Sequence, residues 1–312
     1  HAVLRLDHDG GARLPTTLFC KLPPLDPVRR ERLDWAGMGE REVRFYRELA
    51  PGLDVDVPRV VVATHDGDTG AFVLAMEDLR ARADVPDGTA GLTADLVASG
   101  LEDLAALHVR YEDAARRRRE APWITPSGRT SDYGARLLRA GIDADPGALS
   151  PAFVAVAERY IADRDTLQDA WEAGPATVLH GDPHLGNLFV AGDRIGFYDW
   201  GLMAVGSPLR DVSYLIAMAL DPADRATHER DLLTHYREVR AAQGGAAIGT
   251  DEAWAWHRVH TAYTVVASCQ AIAVPASAPP PRRAFADAFV ARASRAVEEL
   301  DPLGALDRLS SA

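Results

Sequence analysis

Three oxygen-bearing side chains, Asp182, Asn187 and Asp199, fall within residues 178–201, VLHGDPHLGNLFVAGDRIGFYDWG. Two carboxylates and an amide oxygen are hard ligands, suited to magnesium and to the phosphates that magnesium carries. A carboxylate in such a set can also orient or accept a proton. These residues can act together only if the chain between them brings them to one point.

The intervening sequence predicts such a convergence. Residues 187–190 and 195–199 are strand-like runs flanking Ala191-Gly192-Asp193-Arg194, and a Gly-Asp pair between strand formers signals a hairpin. The polar loop 180–187 precedes the first strand and Asp199 ends the second. A hairpin that returns the chain beside its start sets Asp182, Asn187 and Asp199 at one end of a sheet.

The segment resembles the active-site stretch of the aminoglycoside phosphotransferase and choline kinase-like enzymes, small-molecule kinases with a protein-kinase-like fold. Their loop H-G-D-x-x-x-x-N is matched by His180-Gly181-Asp182-Pro183-His184-Leu185-Gly186-Asn187, and their following D-W or D-F by Asp199-Trp200. Protein kinases keep the D-x-x-x-x-N spacing behind H-R-D and use D-F-G for the metal. The resemblance implies that Asp182 acts as the base toward an acceptor hydroxyl. It also implies that Asn187 and Asp199 hold Mg²⁺ against the phosphates of ATP. His180 would orient the loop, and His184 receives no role.

Upstream, residues 2–7 alternate as AVLRLD, Asp9-Gly10-Gly11 makes a turn, and residues 16–22 read TTLFCKL, which predicts a hairpin carrying Lys21. Taken alone, Lys21 reads as an edge lysine whose stem snorkels. Buried, it would need a partner, and the predicted helix 34–49 offers Glu42, with Glu40 and Glu48 as rivals. The resemblance implies that Lys21 steadies the nucleotide phosphates and that Glu42 holds Lys21. Kinases place a Gly-rich loop ahead of the lysine strand. That loop would precede His1, so the first strand and part of the ATP lid are expected to be missing here.

Residues 58–64 and 71–76 predict two more strands around Asp66-Gly67-Asp68, giving an antiparallel sheet of about four strands plus one helix. The Met76-Glu77-Asp78-Leu79 that follows resembles the family's inter-lobe linker. This implies main-chain contact of Glu77 and Leu79 with the adenine edge, although capping explains the acids equally well. Beyond it the pattern turns helical over 93–111 (Thr93 as N-cap), 151–173, 209–220, 222–243, 251–274 and 282–300. His108 reads as a core histidine and residues 116–119 as a solvated basic helix end. Asp211 resembles a family aspartate that braces the catalytic loop. Trp254, Trp256, His257, His260 and Tyr263 are either core or the wall of an acceptor pocket.

Composition bounds the rest. A net charge of −12 argues against nucleic-acid binding, and 47% apolar with 26% charged residues is ordinary for a soluble globular chain of 312 residues. Both cysteines, Cys20 and Cys269, read as buried free thiols of a reducing, cytoplasmic protein. No secretory leader is visible, although the chain starts without Met, and no apolar run is long enough to span a bilayer.

The expected fold is α+β and two-lobed: residues 1–77 form a small antiparallel-sheet lobe and 78–312 a mostly helical lobe. The expected activity is ATP- and Mg²⁺-dependent phosphate transfer to a small-molecule hydroxyl, without membrane or nucleic-acid partners. Two alternatives compete. One is a nucleotide-binding pseudokinase without turnover. The other is a metal-dependent hydrolase using His180, Asp182 and His184, since an H-x-D-x-H run can ligate zinc.

Overall fold

The computed structural model describes residues 1–7, 15–26, 30, 37–127, 131–145 and 147–311. Strands β1 (Ala2–Arg5), β2 (Thr17–Lys21), β3 (Val60–His65) and β4 (Phe72–Glu77) form one antiparallel sheet in the order β1-β2-β4-β3. The expected hairpins are present, and the second strand of each pairs with that of the other, Cys20 opposite Ala75 and Lys21 opposite Leu74. The turn expected at Asp9-Gly10-Gly11 lies outside the described residues.

Along β2 the side chains alternate in burial until Cys20 and Lys21, which are both buried. The alternation breaks because helix α1 (Met38–Arg44) packs over β3 and β4 at this end. It continues as a π-helical turn, Phe45–Leu49, burying Phe45, Tyr46 and Leu49. The start of the expected helix, residues 34–36, lies outside the described residues.

Past a 3-10 turn at Leu79–Ala81 the chain is mostly helical. Helix α2 (Ala94–Arg110) runs through the core, its Thr93 cap accepting the Leu96 N–H. Two short helices follow: α3 (Ala114–Glu120), which holds the basic helix end expected at residues 116–119, and α4 (Tyr133–Ala144), which the sequence pattern did not signal. The single helix expected over 151–173 is two, α5 (Pro151–Ala162) and α6 (Arg164–Glu172). Asp163 leaves the helical region (φ −148°) and its carboxylate takes the Thr166 hydroxyl at 2.7 Å, capping the second helix.

Strand β5 (Thr177–Leu179) pairs with β8 (Ala204–Gly206), and between them stands the predicted hairpin, β6 (Leu188–Ala191) with β7 (Arg194–Phe197). Gly192 takes φ +67° in its two-residue turn, where a side chain would be strained. Helices α7 (Pro208–Ala219) and α8 (Pro222–Ala242) follow as expected, α7 buried on every side.

The helix expected over 251–274 is broken into α9 (Thr250–His260), α10 (Ala262–Ala267) and α11 (Cys269–Ile272). Hydroxyls along it donate back to the preceding turn: Thr261 to the His257 carbonyl at 2.8 Å, Thr264 to Thr261 at 2.7 Å and Ser268 to Thr264 at 2.7 Å. Such back-bonding competes with the helix ladder and bends it. The Pro279-Pro280-Pro281 run does more than separate helices, since Pro280 opens α12 (Pro280–Leu300), where a missing N–H costs nothing. Asp301 then turns into the left-handed region and caps α13 (Pro302–Ser310), which the sequence pattern missed.

One apolar cluster joins Phe45, Leu74 and Met76 from the sheet side to Leu188, Phe197 and Trp200 from the hairpin side. The sheet end carrying Lys21 is thereby fixed against the hairpin end carrying Asp199. Both cysteines are buried and free. No helix among the described residues is long and apolar enough to cross a membrane.

Candidate active site

The loop between β5 and the hairpin is held from below. Asp211, fully buried in α7, accepts the N–H of His180 at 2.6 Å and that of Gly181 at 3.0 Å. Burial opposes ionisation of Asp211, but hydrogen bonding and the charge of neighbouring groups, His108 first among them, outweigh it and keep its pKa low. His108 is a core residue, bonded to the Tyr236 hydroxyl at 2.8 Å and standing 3.5 Å from Asp211.

Gly181 explains the middle letter of H-G-D. It sits at φ +88°, and a Cβ there would lie 2.1 Å from the Leu202 carbonyl oxygen. Backbone strain and backbone contact both demand glycine.

The histidines of the loop are fixed in tautomer by their partners. His180 accepts the Asp182 N–H on Nδ1 at 3.2 Å, so its proton is on Nε2, facing the Tyr198 carbonyl at 3.2 Å. Burial lowers its pKa and keeps the ring neutral. His184 accepts the Gly186 N–H on Nδ1 at 2.9 Å, which turns a protonated Nε2 toward Asp182 Oδ2 at 3.5 Å.

Asp182 and Asn187 meet directly. Asn187 Nδ2 donates to the Asp182 carbonyl oxygen and to Oδ2, each at 3.0 Å. The Asn187 carbonyl oxygen in turn accepts the Tyr198 N–H at 3.0 Å, which ties the loop to the residue before Asp199. Asp199 occupies the left-handed region (φ 65°) although it is not glycine. Such a strained residue persists only where its surroundings hold it.

Lys21 closes the group from the sheet. Its Nζ lies 2.8 Å from Glu42 Oε1 and 3.1 Å from Asp199 Oδ1. Burial works to lower the lysine pKa, but the two carboxylates overcome it and the net shift is upward. Burial pushes the Glu42 carboxyl up against the pull of the Lys21 ammonium. The rivals are excluded as partners by position, since Glu40 and Glu48 both pair with half-buried Arg44. Thus Glu42, Lys21 and Asp199 form one side-chain group and Asn187 with Asp182 another, joined through the main chain at Tyr198.

Glu77 and Leu79 stand apart from both groups. Glu77 ends β4 opposite Leu18, and its carboxylate accepts the Arg59 N–H at 2.8 Å and pairs with Arg82 at 3.0 Å. Leu79 opens the 3-10 turn, which Asp78 caps through the Arg80 N–H.

Of the five aromatic and histidine candidates on 251–274, Tyr263 alone touches the loop, its hydroxyl donating to the Gly181 carbonyl at 3.3 Å. His257 and His260 are fully buried, and Trp254 and Trp256 pack against the core. The sequence reading missed the side chains around Tyr263. Tyr214 and Trp171 meet its ring edge-on, at 5.3 and 5.4 Å between centroids, and Arg210 lies over its face. Arg210 and Tyr214 share one face of α7 four residues apart, but Trp171 comes from α6 and no local pattern joins it or Tyr263 to them.

Over residues 6–242 the chain matches the family model described as the APH phosphotransferase enzyme family. The chain belongs to that phosphotransferase family. Choline kinase from Cryptosporidium parvum Iowa II matches in structure with a TM-score of 0.58 at 9% identity, over 95% of this chain and 86% of that one. Choline kinase LicA from Streptococcus pneumoniae gives 0.52 at 14% identity, over 96% and 93%. A putative aminoglycoside phosphotransferase from Ralstonia eutropha JMP134 gives 0.50 at 17%, over 91% and 86%. No curated protein sequence matches the chain. At these identities the structural likeness concerns the fold, which is protein-kinase-like: a small antiparallel sheet followed by a mostly helical remainder.

The donor set of this phosphotransferase fits magnesium. Asn187 uses its amide hydrogens on Asp182, which leaves Oδ1 for a cation, and the Asp199 side chain is 39% exposed. Oxygen donors of this kind suit a hard ion. The zinc alternative fares worse, because both ring nitrogens of His180 are engaged. Among the described residues no group of three or more His, Cys, Asp or Glu converges to hold a metal.

Proposed function

We propose that this chain transfers the γ-phosphate of ATP to a hydroxyl of a small molecule, with Asp182 as the base and Mg²⁺ held by Asn187 and Asp199. The observation that carries this reading is the pair of side-chain groups Glu42–Lys21–Asp199 and Asn187–Asp182. Family membership and the fold support it. Nucleotide use is supported by a structural neighbour, the GDP complex of aminoglycoside 2'-phosphotransferase-IIIa, with a TM-score of 0.50 at 14% identity.

Phosphoryl transfer asks the protein mainly for positioning and for neutralising phosphate charge. Asp182 takes or orients the acceptor proton, held by the Asn187 amide and by a loop anchored on Asp211. Lys21 steadies the phosphates, and Glu42 keeps its ammonium in place. Magnesium, when bound, supplies charge neutralisation across the phosphates. Glu77 and Leu79 offer main-chain groups to the adenine edge, and the lobes divide between residues 77 and 78. The acceptor is an alcohol, and the proposed compartment is the cytoplasm.

The test is ADP release from Mg·ATP across a library of hydroxylated small molecules, run beside Asp182→Asn. The expected loss is about two to four orders of magnitude. Equal activity in both proteins would remove Asp182 from the mechanism, and no release with any acceptor would favour the pseudokinase.

A further inference from the structure

Beside Tyr263 stands an arginine whose charge no side-chain carboxylate pairs with among the described residues. Arg210 is buried, 4% exposed. Its Nη1 donates to the Ser127 hydroxyl at 3.0 Å, its guanidinium carbon lies 5.0 Å from the Tyr263 ring centroid, and its Nε is sealed from solvent without a partner. The adjacent carboxylate, Asp211, is spent on the amides of His180 and Gly181. A buried guanidinium is normally matched by a carboxylate, because an uncompensated buried charge is costly.

One neighbouring group has the same unfinished character. The indole N–H of Trp171 is buried and without a hydrogen-bond partner among the described residues, whereas the buried hydroxyl of Tyr214 faces the Asp182 carboxylate. Both rings pack edge-on against Tyr263, whose own hydroxyl is tied to the carbonyl preceding Asp182. Buried polar groups are rarely left unpaired, and the unpaired donors of Arg210 and Trp171 beside a proposed phosphate-transfer centre mark where a ligand supplies the acceptors. With Asp182 facing Tyr214 and kept for the acceptor hydroxyl, these two donors suit a ligand that brings negative charge.

We propose that the acceptor of this chain is a hydroxylated molecule carrying a carboxylate, which pairs with Arg210 while its hydroxyl reaches Asp182. The inference rests on the phosphotransferase reading for the identity of the site, but it concerns the charge of the acceptor. Its chemistry is opposite to that of a cationic acceptor, which would set ammonium against guanidinium.

The test compares acids with their amides on the whole protein: glycerate against glyceramide and L-threonine against L-threoninamide, with choline as a cationic control. Calorimetric binding in the presence of magnesium and a non-hydrolysable ATP analogue accompanies ADP release. Acids are expected to bind about tenfold or more tightly than amides. In Arg210→Gln, checked for a retained melting transition, KM for the acid rises about 10- to 100-fold with kcat changed much less, and Arg210→Lys recovers part of the loss. Equal or better binding of amides or of choline overturns the proposal, as does the absence of binding by any acid. These comparisons stand on the unaltered protein even if Arg210→Gln does not fold. Arg210-dependent binding of acids without ADP release would instead leave this site standing and remove the kinase reading.

Discussion

The ring of Trp200 lies flat against that of Phe45, 3.9 Å between centroids and 10° from parallel. Phe45 follows Glu42 by about one turn, and Trp200 follows Asp199 directly. The stack therefore sets the spacing between the two carboxylates that Lys21 bridges. Trp200→Ala is expected to cost about 3–5 kcal/mol of stability. A double-mutant cycle with Phe45→Ala, followed by urea unfolding, should show about 0.5–1.5 kcal/mol of coupling.

Lys21→Met removes the ammonium and leaves the buried Glu42 carboxyl without its partner. The expected loss is about 3–5 kcal/mol, the usual result of breaking a buried pair from one side. Adding Glu42→Leu should recover much of it, since an apolar pair can fill such a site. Nucleotide affinity, read by calorimetry, should stay low in both variants.

Gly181→Ala forces a side chain into the left-handed region and against the Leu202 carbonyl. The expected cost is about 2–5 kcal/mol from strain and overpacking together. Thermal unfolding measures it. A variant as stable as the parent would show that the loop relaxes freely, contrary to its two anchors on Asp211.

Acid should destabilise the protein through its buried histidines. Burial, aided by the charges of Arg210 and His257, lowers the His260 pKa to about 3. Unfolded, the same ring titrates near about 6.5. The unfolded state thus binds the extra proton first, so stability is complete above about 6.5 and falls as the pH drops toward 3, by about 1.4 kcal/mol per unit. Both ring nitrogens of His260 lack partners, so His260→Phe should be tolerated at pH 7.5. Urea unfolding at pH 7.5 and 5.0 should show the variant gaining about 2 kcal/mol on the parent across that interval.

Much of the site was legible because its signals are local. The spacing from Asp182 to Asn187, the Gly192-Asp193 turn and the strand ending at Asp199 are properties of one short segment, and a hairpin fixes their relation. Lys21 and Glu42 needed the resemblance as well, because a lysine in an edge-like strand has an adequate surface explanation until the helix is known to cover it. Helix breaks were not legible: the residue types at Asp163, Thr261 and Ser268 are compatible with a helix, and what bends the chain there is where each side chain finds its hydrogen bond.

The sequence by itself determined the candidate site's residues, two carboxylates and an amide at kinase-like spacing, since residue type and separation along one hairpin need no distant partner. Tertiary structure decided the surroundings. Phe45 on Trp200, Asp211 beneath His180, and Arg210 over Tyr263 beside Trp171 join residues from separate helices and strands. Such contacts depend on how whole elements pack, and packing has no period that can be read along the chain.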